Sequence, residues 1–343
     1  MKSTLITRRV PADDIEWRPA ANPRVGDLLL CTVETIGIHG RAETTTGSRR
    51  KLYTGDHVVM ALANRYATSL LEAVGEIDGD HADMVSASGL CGRVVRRAKR
   101  ASAPTRLRIE GQAFVDGAPY NLRSSAIPRP PGPFRREPRW IAVVGSAMDS
   151  GKTTACTSIV HGLVRAGHSV AAAKITGTAS ARDLGAYSDA GASPSLDFLD
   201  CGWPSTVGCS ESELLEILDV LADCARASGV DSAVLEIADG VLQPDTRFLL
   251  GALGSRLGHV EVVVTVRESL SAVAAAELLT DGGLDVAAVS GLITNSPMAC
   301  FEAERAFSLT CVPTPELGRY LARRSAPVAA AVPLVRGAGA AFA

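Results

Sequence analysis

Two patterns of apolar and polar positions divide this chain. Up to about residue 126 the apolar residues come in short β-prone runs, GDLLLCTVETIG, GRAETTT, RKLYTGDHVVMAL and RLRIEGQAFVDGAPYNL, separated by Gly-Asp, Thr-Gly and Asp-Gly turns. That spacing predicts a small β-rich domain, a barrel or a sandwich. From residue 140 the pattern changes to apolar strands alternating with helical periodicity. IAVVG precedes TACTSIVHGLVRAG, and HSVAAAKITG follows. Ser210 and Glu213 form a capping-box pattern ahead of ELLEILDVLADCARASG, and the strands DSAVLEIADG, HVEVVVTVRES, VAAVSGLITNS and one near LTCVPTPEL complete the series. Such alternation predicts an α/β fold with a mostly parallel, doubly wound sheet. Between the patterns lies IPRPPGPFRREPRW, whose prolines exclude a helix interior. The predicted organisation is therefore a domain over 1–126, a connector over 127–139, and a second domain over 140–343 that includes a short C-terminal tail.

The most informative segment is IAVVGSAMDSGKTT, residues 141–154. An apolar strand, a small-residue loop ending Gly151-Lys152-Thr153 and a helix start together make a phosphate-binding P-loop. Loop amides and a helix N-terminus converge on one point and hold an anionic phosphate there. Gly145, Ser146, Asp149, Ser150, Gly151, Lys152, Thr153 and Thr154 are the expected phosphate ligands. Lys152 would reach the β- and γ-phosphates, and the Thr153 hydroxyl would ligate Mg²⁺. The loop is longer than the common pattern: five residues, Ser146 to Ser150, separate Gly145 from Gly151.

Composition narrows the setting. The chain has 343 residues, 46% of them apolar, which exceeds the usual size of one core. A formal charge of -2 argues against general attraction to nucleic acid or anionic lipid. MKSTLITRRVPADD turns polar at once, unlike a signal peptide, and no apolar run reaches the length of a membrane span. The eight cysteines contain no C-x-x-C pair and fit reduced thiols of a cytoplasmic protein better than a zinc site. In the β-rich part, Asn64-Arg65-Tyr66 is either a recognition triad or a turn. The stretch from Arg93 to Arg108 carries Arg93, Arg96, Arg97, Lys99, Arg100, Arg106 and Arg108 without an acid. It reads either as an anion or RNA contact or as a charged strand edge.

GSAMDSGKTT resembles the G-x5-GK[ST] loop of the dethiobiotin synthetase and cobyrinic acid synthase group, and of a family around bacterial D-glutamate N-acetyltransferase. The likeness covers roughly 140–320. It implies a P-loop NTPase fold, ATP and Mg²⁺ as cofactors, and a homodimer. Lys174-Ile175-Thr176-Gly177-Thr178 is similar to a Lys-Pro-x-x-[ST]-Gly element, without its proline. By that resemblance Lys174 would face the reacting phosphate, and Thr176, Gly177 and Thr178 the substrate. Glu236 stands where the family carries a metal-binding Glu, although Glu236-Ile237-Ala238-Asp239-Gly240 replaces its Glu-Gly-Ala-Gly and offers Asp239 as a second acid. Tyr187-Ser188-Asp189-Ala190 resembles a Ser-Asp-Ala element and picks Asp189 as a third metal ligand, with Asp183 as its rival. GLITN is similar to a strand whose asparagine contacts adenine, here Asn295, and Pro313 opens a loop that would wall the base.

What the resemblance implies is ATP-dependent phosphoryl transfer or ligation on a small-molecule carboxylate or amine. Two other classes stay open: a nucleotide switch that assists cofactor or metal insertion, and an acyl transferase whose P-loop holds the phosphates of coenzyme A. The sequence has no Asn-Lys-x-Asp guanine signature, which favours ATP over GTP.

Overall fold

A computed structural model describes residues 2–11 and 14–324. They form two compact units. The first holds the chain up to Pro128 together with Gly177–Gly185 and Asp197–Gly208; the second holds Arg129–Thr176, Ala186–Leu196 and the chain from Cys209 onward.

Strands β1 (Glu16–Arg18), β2 (Leu28–Thr35), β3 (Arg41–Glu43), β4 (Arg49–Lys51), β5 (His57–Leu62), β6 (Arg65–Ala67), β7 (Leu71–Val74), β8 (His81–Ser86), β9 (Leu90–Arg97), β10 (Thr105–Val115) and β11 (Ala118–Pro119) build the first unit. Strand β2 pairs with β5 and β10, β5 with β9, β9 with β8, and β8 again with β10. The ring is closed. Of the two architectures left open by the turn spacing, the barrel is the one observed. Period-two alternation explains why it closes: Leu29, Cys31 and Val33 of β2 and Val58, Met60 and Leu62 of β5 all point into one core with Met84 and Leu107.

The basic run over Arg93–Arg108 lies on β9 and β10 and is largely answered by acids. Arg93 pairs with Glu76, Arg96 meets Glu72 at 3.4 Å, Arg106 meets Asp78 at 3.0 Å and Asp83 at 3.2 Å, and Arg108 meets Glu110 at 2.9 Å. Arg96–Glu72 and Arg106–Asp83 pair across ladders, Arg108–Glu110 lies along one strand, and these contacts fit a charged strand edge. Asn64 serves a turn, donating to the Val207 carbonyl at 3.0 Å and accepting from the Gly75 amide at 2.7 Å. The later segment Asp197–Gly208 is tied in by polar contacts. Arg8 bridges Asp197 at 2.6 Å and Asp200 at 2.8 Å, the Ile127 amide donates to the Asp200 carbonyl at 2.8 Å, and the Arg123 guanidinium stacks 3.5 Å over the Trp203 ring.

The second unit carries β12 (Arg139–Gly145), β13 (Val170–Lys174), β14 (Ser195–Asp197), β15 (Ser232–Glu236), β16 (Val260–Thr265) and β17 (Asp285–Ser290) in the order β14-β13-β15-β12-β16-β17. From β13 to β17 neighbouring strands are parallel, and β13, β15 and β16 are buried at every residue, as strands covered on both faces must be. Helices α1 (Lys152–Arg165), α2 (Ala181–Asp189), α3 (Glu211–Ser228), α4 (Pro244–Leu257), α5 (Ser269–Asp281), α6 (Pro297–Ala306) and α7 (Leu317–Arg323) connect or follow these strands. The Ser210–Glu213 capping box is formed at the start of α3, and Gly229 ends that helix in the left-handed region. Two expectations fail at the sheet's far edge. LTCVPTPEL makes a single bridge, Val289 to Cys311, before a 3-10 turn over Thr314–Glu316, because Pro313 and Pro315 cannot donate to a ladder. VAAVSGLITNS stops being a strand at Ser290, and Leu292–Asn295 is a 3-10 turn.

Among the described residues no helix is long and apolar enough to cross a membrane, and all eight cysteines are free thiols. Helices α1 and α7 touch through glycine: a Cβ on Gly318 would stand 2.5 Å from the Gly162 Cα and 2.5 Å from the Ser158 carbonyl oxygen. Gly318→Ala is therefore expected to cost about 1–3 kcal/mol in urea unfolding. Gly254→Ala, on α4 with nothing within 4 Å of its added carbon, should instead stabilise by up to about 1 kcal/mol.

Candidate phosphate-binding site

The P-loop leaves β12 beside the point where the sheet order reverses, since β15 flanks β12 on one side and β16 on the other. Ligand sites of open α/β sheets form at such a place. Gly151 precedes α1 with φ at 103°, a conformation open to glycine. The loop is tied to β16: the Ser146 amide donates to the Thr265 carbonyl at 2.9 Å, and the buried Ser150 hydroxyl lies 2.8 Å from the Thr265 hydroxyl. Arg267, just past β16, donates to the Asp149 carbonyl at 3.1 Å. Bare glycines let backbone and lysine close in. A Cβ on Gly145 would stand 2.3 Å from the Ser150 Oγ and 3.0 Å from the Lys152 Nζ, and one on Gly291 would stand 2.4 Å from the Ser150 carbonyl oxygen.

Lys152 is 6% exposed, and its ammonium donates to the carbonyls of Ala147 and Asp239. Burial pushes its pKa down, the charges of Asp239 and Glu236 push it back up, and Lys174 lowers it further. A buried ammonium held by neutral carbonyls in a loop of this shape is built to receive an anion.

Glu236 ends β15 and is 2% exposed. Thr153 Oγ1 donates to its Oε1 at 3.2 Å, and the Tyr187 hydroxyl donates to its Oε2. In the parallel register Lys174 of β13 stands directly across from Glu236, so both leave the same end of the sheet; Lys174 is 8% exposed. Lys152, Thr153, Lys174 and Glu236 thus come together as the sequence suggested. This is a P-loop fold.

Other expected residues fall differently. Asp189 is exposed at the end of α2, and the residue of that segment that reaches Glu236 is the buried Tyr187, two positions earlier and on another helix face. Asp183 lies in the first turn of α2. Among the described residues no group of three His, Cys, Asp or Glu side chains is placed to hold a metal, so a three-acid set of Glu236, Asp239 and Asp189 does not assemble. Asp239 enters through its carbonyl, which accepts from Lys152. The Thr176 hydroxyl is taken by the Ala238 carbonyl, which leaves it to fix the loop after β13. Gly177 and Thr178 belong to the first unit, where the Gly177 amide donates to the Thr206 hydroxyl at 2.9 Å. Thr154 is exposed on α1; Asn295 and Pro313 are exposed at the end and the start of 3-10 turns. Sequence reasoning missed Tyr187 and Arg267. Tyr187 lay inside a segment chosen for its aspartate, and Arg267 acts through its donation to loop carbonyls, for which no spacing pattern exists.

No family model matches the chain, and no curated protein matches it. Among solved structures it is similar to the signal recognition particle 54 kDa protein from Aeropyrum pernix K1 in complex with GDP, at 16% identity and a TM-score of 0.38 over 54% of this chain and 43% of that one. It is also similar to the signal recognition particle receptor FtsY from Elizabethkingia anophelis in complex with GDP, at 13% identity and a TM-score of 0.34 over 55% of this chain and 64% of that one. A ParA family ATPase from Chlorobium tepidum TLS matches at 14% identity and a TM-score of 0.30, over 52% and 83% of the two chains. The chain thus spans less than two thirds of the first two. None of the three is a dethiobiotin synthetase or a cobyrinic acid synthase.

Tyr187→Phe removes a donor from a buried carboxylate and keeps the ring in the core. Without nucleotide it should lower stability by about 1–3 kcal/mol in denaturant unfolding. An unchanged midpoint would separate Tyr187 from Glu236.

Proposed function

We propose that the second unit binds ATP with Mg²⁺ and directs its terminal phosphate to a small-molecule carboxylate or amine, in the manner of the dethiobiotin synthetase group. The observation that supports this reading best is the 3.2 Å hydrogen bond between the P-loop hydroxyl of Thr153 and the Glu236 carboxylate. Two oxygen donors of the kind Mg²⁺ prefers are adjacent at the mouth of a phosphate loop, and phosphate oxygens and water would complete the set. The residues fit the ion without a third acid. Bound there, the metal would supply neutralisation of phosphate charge.

Each side chain then has a defined task. Lys152 would exchange the Ala147 and Asp239 carbonyls for β- and γ-phosphate oxygens, recovering the solvation that burial removed. Lys174 is a second buried cation beside Glu236, beyond what holding a phosphate in the loop requires. It would meet the charge that moves with the transferred group, where a preorganised cation acts most strongly. Asp239 would act on the metal through water. Asn295 and Pro313, on the turns that follow β17 and the Cys311 bridge, would contact the base.

Three variants test this. Lys152→Ala should abolish ATP binding in calorimetry, and unchanged affinity would remove the nucleotide site. Glu236→Gln should keep nucleotide affinity within a few-fold while turnover at saturating Mg²⁺ collapses. Lys174→Met should lower kcat by about 100-fold or more with little effect on ATP affinity, as loss of a transition-state contact does. ADP release that is equally fast without any acceptor, and unaffected by Lys174→Met, would favour the switch reading.

A further inference from the structure

A cavity of about 600 Å³ lies wholly among residues of the first unit. Its charged lining is Arg41, Arg49, Lys51 and Arg65 against the single carboxylate of Glu43. That acid pairs with Arg49. Glu43, 2% exposed, accepts from Arg49 at 2.9 Å and from the Ala181 amide at 3.0 Å.

The β3–β4 ribbon makes the imbalance deliberate. Its register sets Glu43 opposite Arg49, a favourable pair, but sets Arg41 directly opposite Lys51. Like charges facing across a ladder are destabilising unless something negative sits between or above them. Among the described residues neither Arg41 nor Lys51 makes an ion pair. His39 lines the same cavity, and its buried Nε2 has no hydrogen-bond partner. Burial, with the nearby Arg65 charge, lowers the His39 pKa to about 4, while a backbone bond at Val85 raises it. The ring is therefore neutral at pH 7, and with its other nitrogen engaged at Val85, Nε2 is left as an acceptor. The hydroxyls of Ser86, Ser88, Thr178 and Ser180 complete the polar lining.

We propose that this cavity binds a small polyanion that also bears a hydroxyl group, with its negative oxygens on Arg41, Lys51 and Arg65 and its hydroxyl donating to His39. Clustered negative oxygens beside a hydroxyl occur in hydroxycarboxylates and in phosphorylated polyols. The guanidinium forks of two arginines suit either. The site stands on its own residues and does not depend on the nucleotide reading of the P-loop.

The test is calorimetry on the full chain with citrate as one probe and fructose 1,6-bisphosphate as the other. At least one should bind with Kd below about 1 mM at low salt, and which one identifies the source of the negative charge. Its affinity should fall at least about tenfold in the Arg41→Ala/Lys51→Ala double variant, whose exposed side chains can be removed without disturbing the barrel core. The Lys152→Ala variant should bind it as the parent does. If neither probe binds, if the double variant binds equally well, or if Lys152→Ala loses the binding, the cavity is not the proposed site.

Discussion

A carboxylate shut away from water must be bonded through both its oxygens, and Glu236 meets that demand by drawing two other segments of the chain to it. Thr153 comes from the first turn of α1 and Tyr187 from α2, while Lys174 stands across from Glu236 on the neighbouring strand. Leaving out either hydroxyl donor exposes the carboxylate to the full cost of desolvation. The P-loop hydroxyl is thereby held in place before any ligand arrives. The same logic governs Lys152, whose ammonium would be intolerable at that depth without the Ala147 and Asp239 carbonyls. The site is a set of buried charges satisfied just well enough to persist and poorly enough to prefer a phosphate.

What could be read from the sequence follows from range. The P-loop, the strands β12, β13, β15 and β16 and the Ser210 cap depend on neighbours a few residues apart, and each is where the spacing put it. Lys174 and Glu236 were legible because strand ends in a parallel sheet converge, so a polar residue closing an apolar run already has an address. Tyr187 was not, since a helix of nine residues offers several faces and only the packing decides which one turns inward. The choice of Asp189 failed for that reason. The β-rich part was legible as strands but not as a barrel, because closure rests on pairings such as β2 with β10, far apart in sequence. The cavity between β3, β4 and β6 was invisible for the same reason: its arginines come from separated runs.

The basic stretch over Arg93–Arg108 shows how composition can mislead. Seen alone it is a block of positive charge; in the fold, Glu72 and Asp83 from paired strands, Glu76 and Asp78 from the β7–β8 turn and Glu110 from the same strand answer four of its arginines. Neutralisation across a ladder leaves little field for a distant polyanion to feel. Arg41 and Lys51 present the opposite case, two unremarkable residues whose pairing concentrates charge.

The membership of Gly177–Gly185 and Asp197–Gly208 in the first unit bears on how the chain is made. Residues leave the ribosome in order, and the barrel strands are complete by Pro119. Yet the carboxylate partners of Arg8 arrive only with Asp197 and Asp200, and the Trp203 ring under Arg123 follows them, after the P-loop, α1 and β13 have been synthesised. Arg8 therefore meets its carboxylates only when more than half of the chain exists. Neither unit is a continuous stretch of polypeptide, and a cut at residue 128 would strip the first unit of Gly177–Gly185 and Asp197–Gly208 and leave both on the fragment that carries the second.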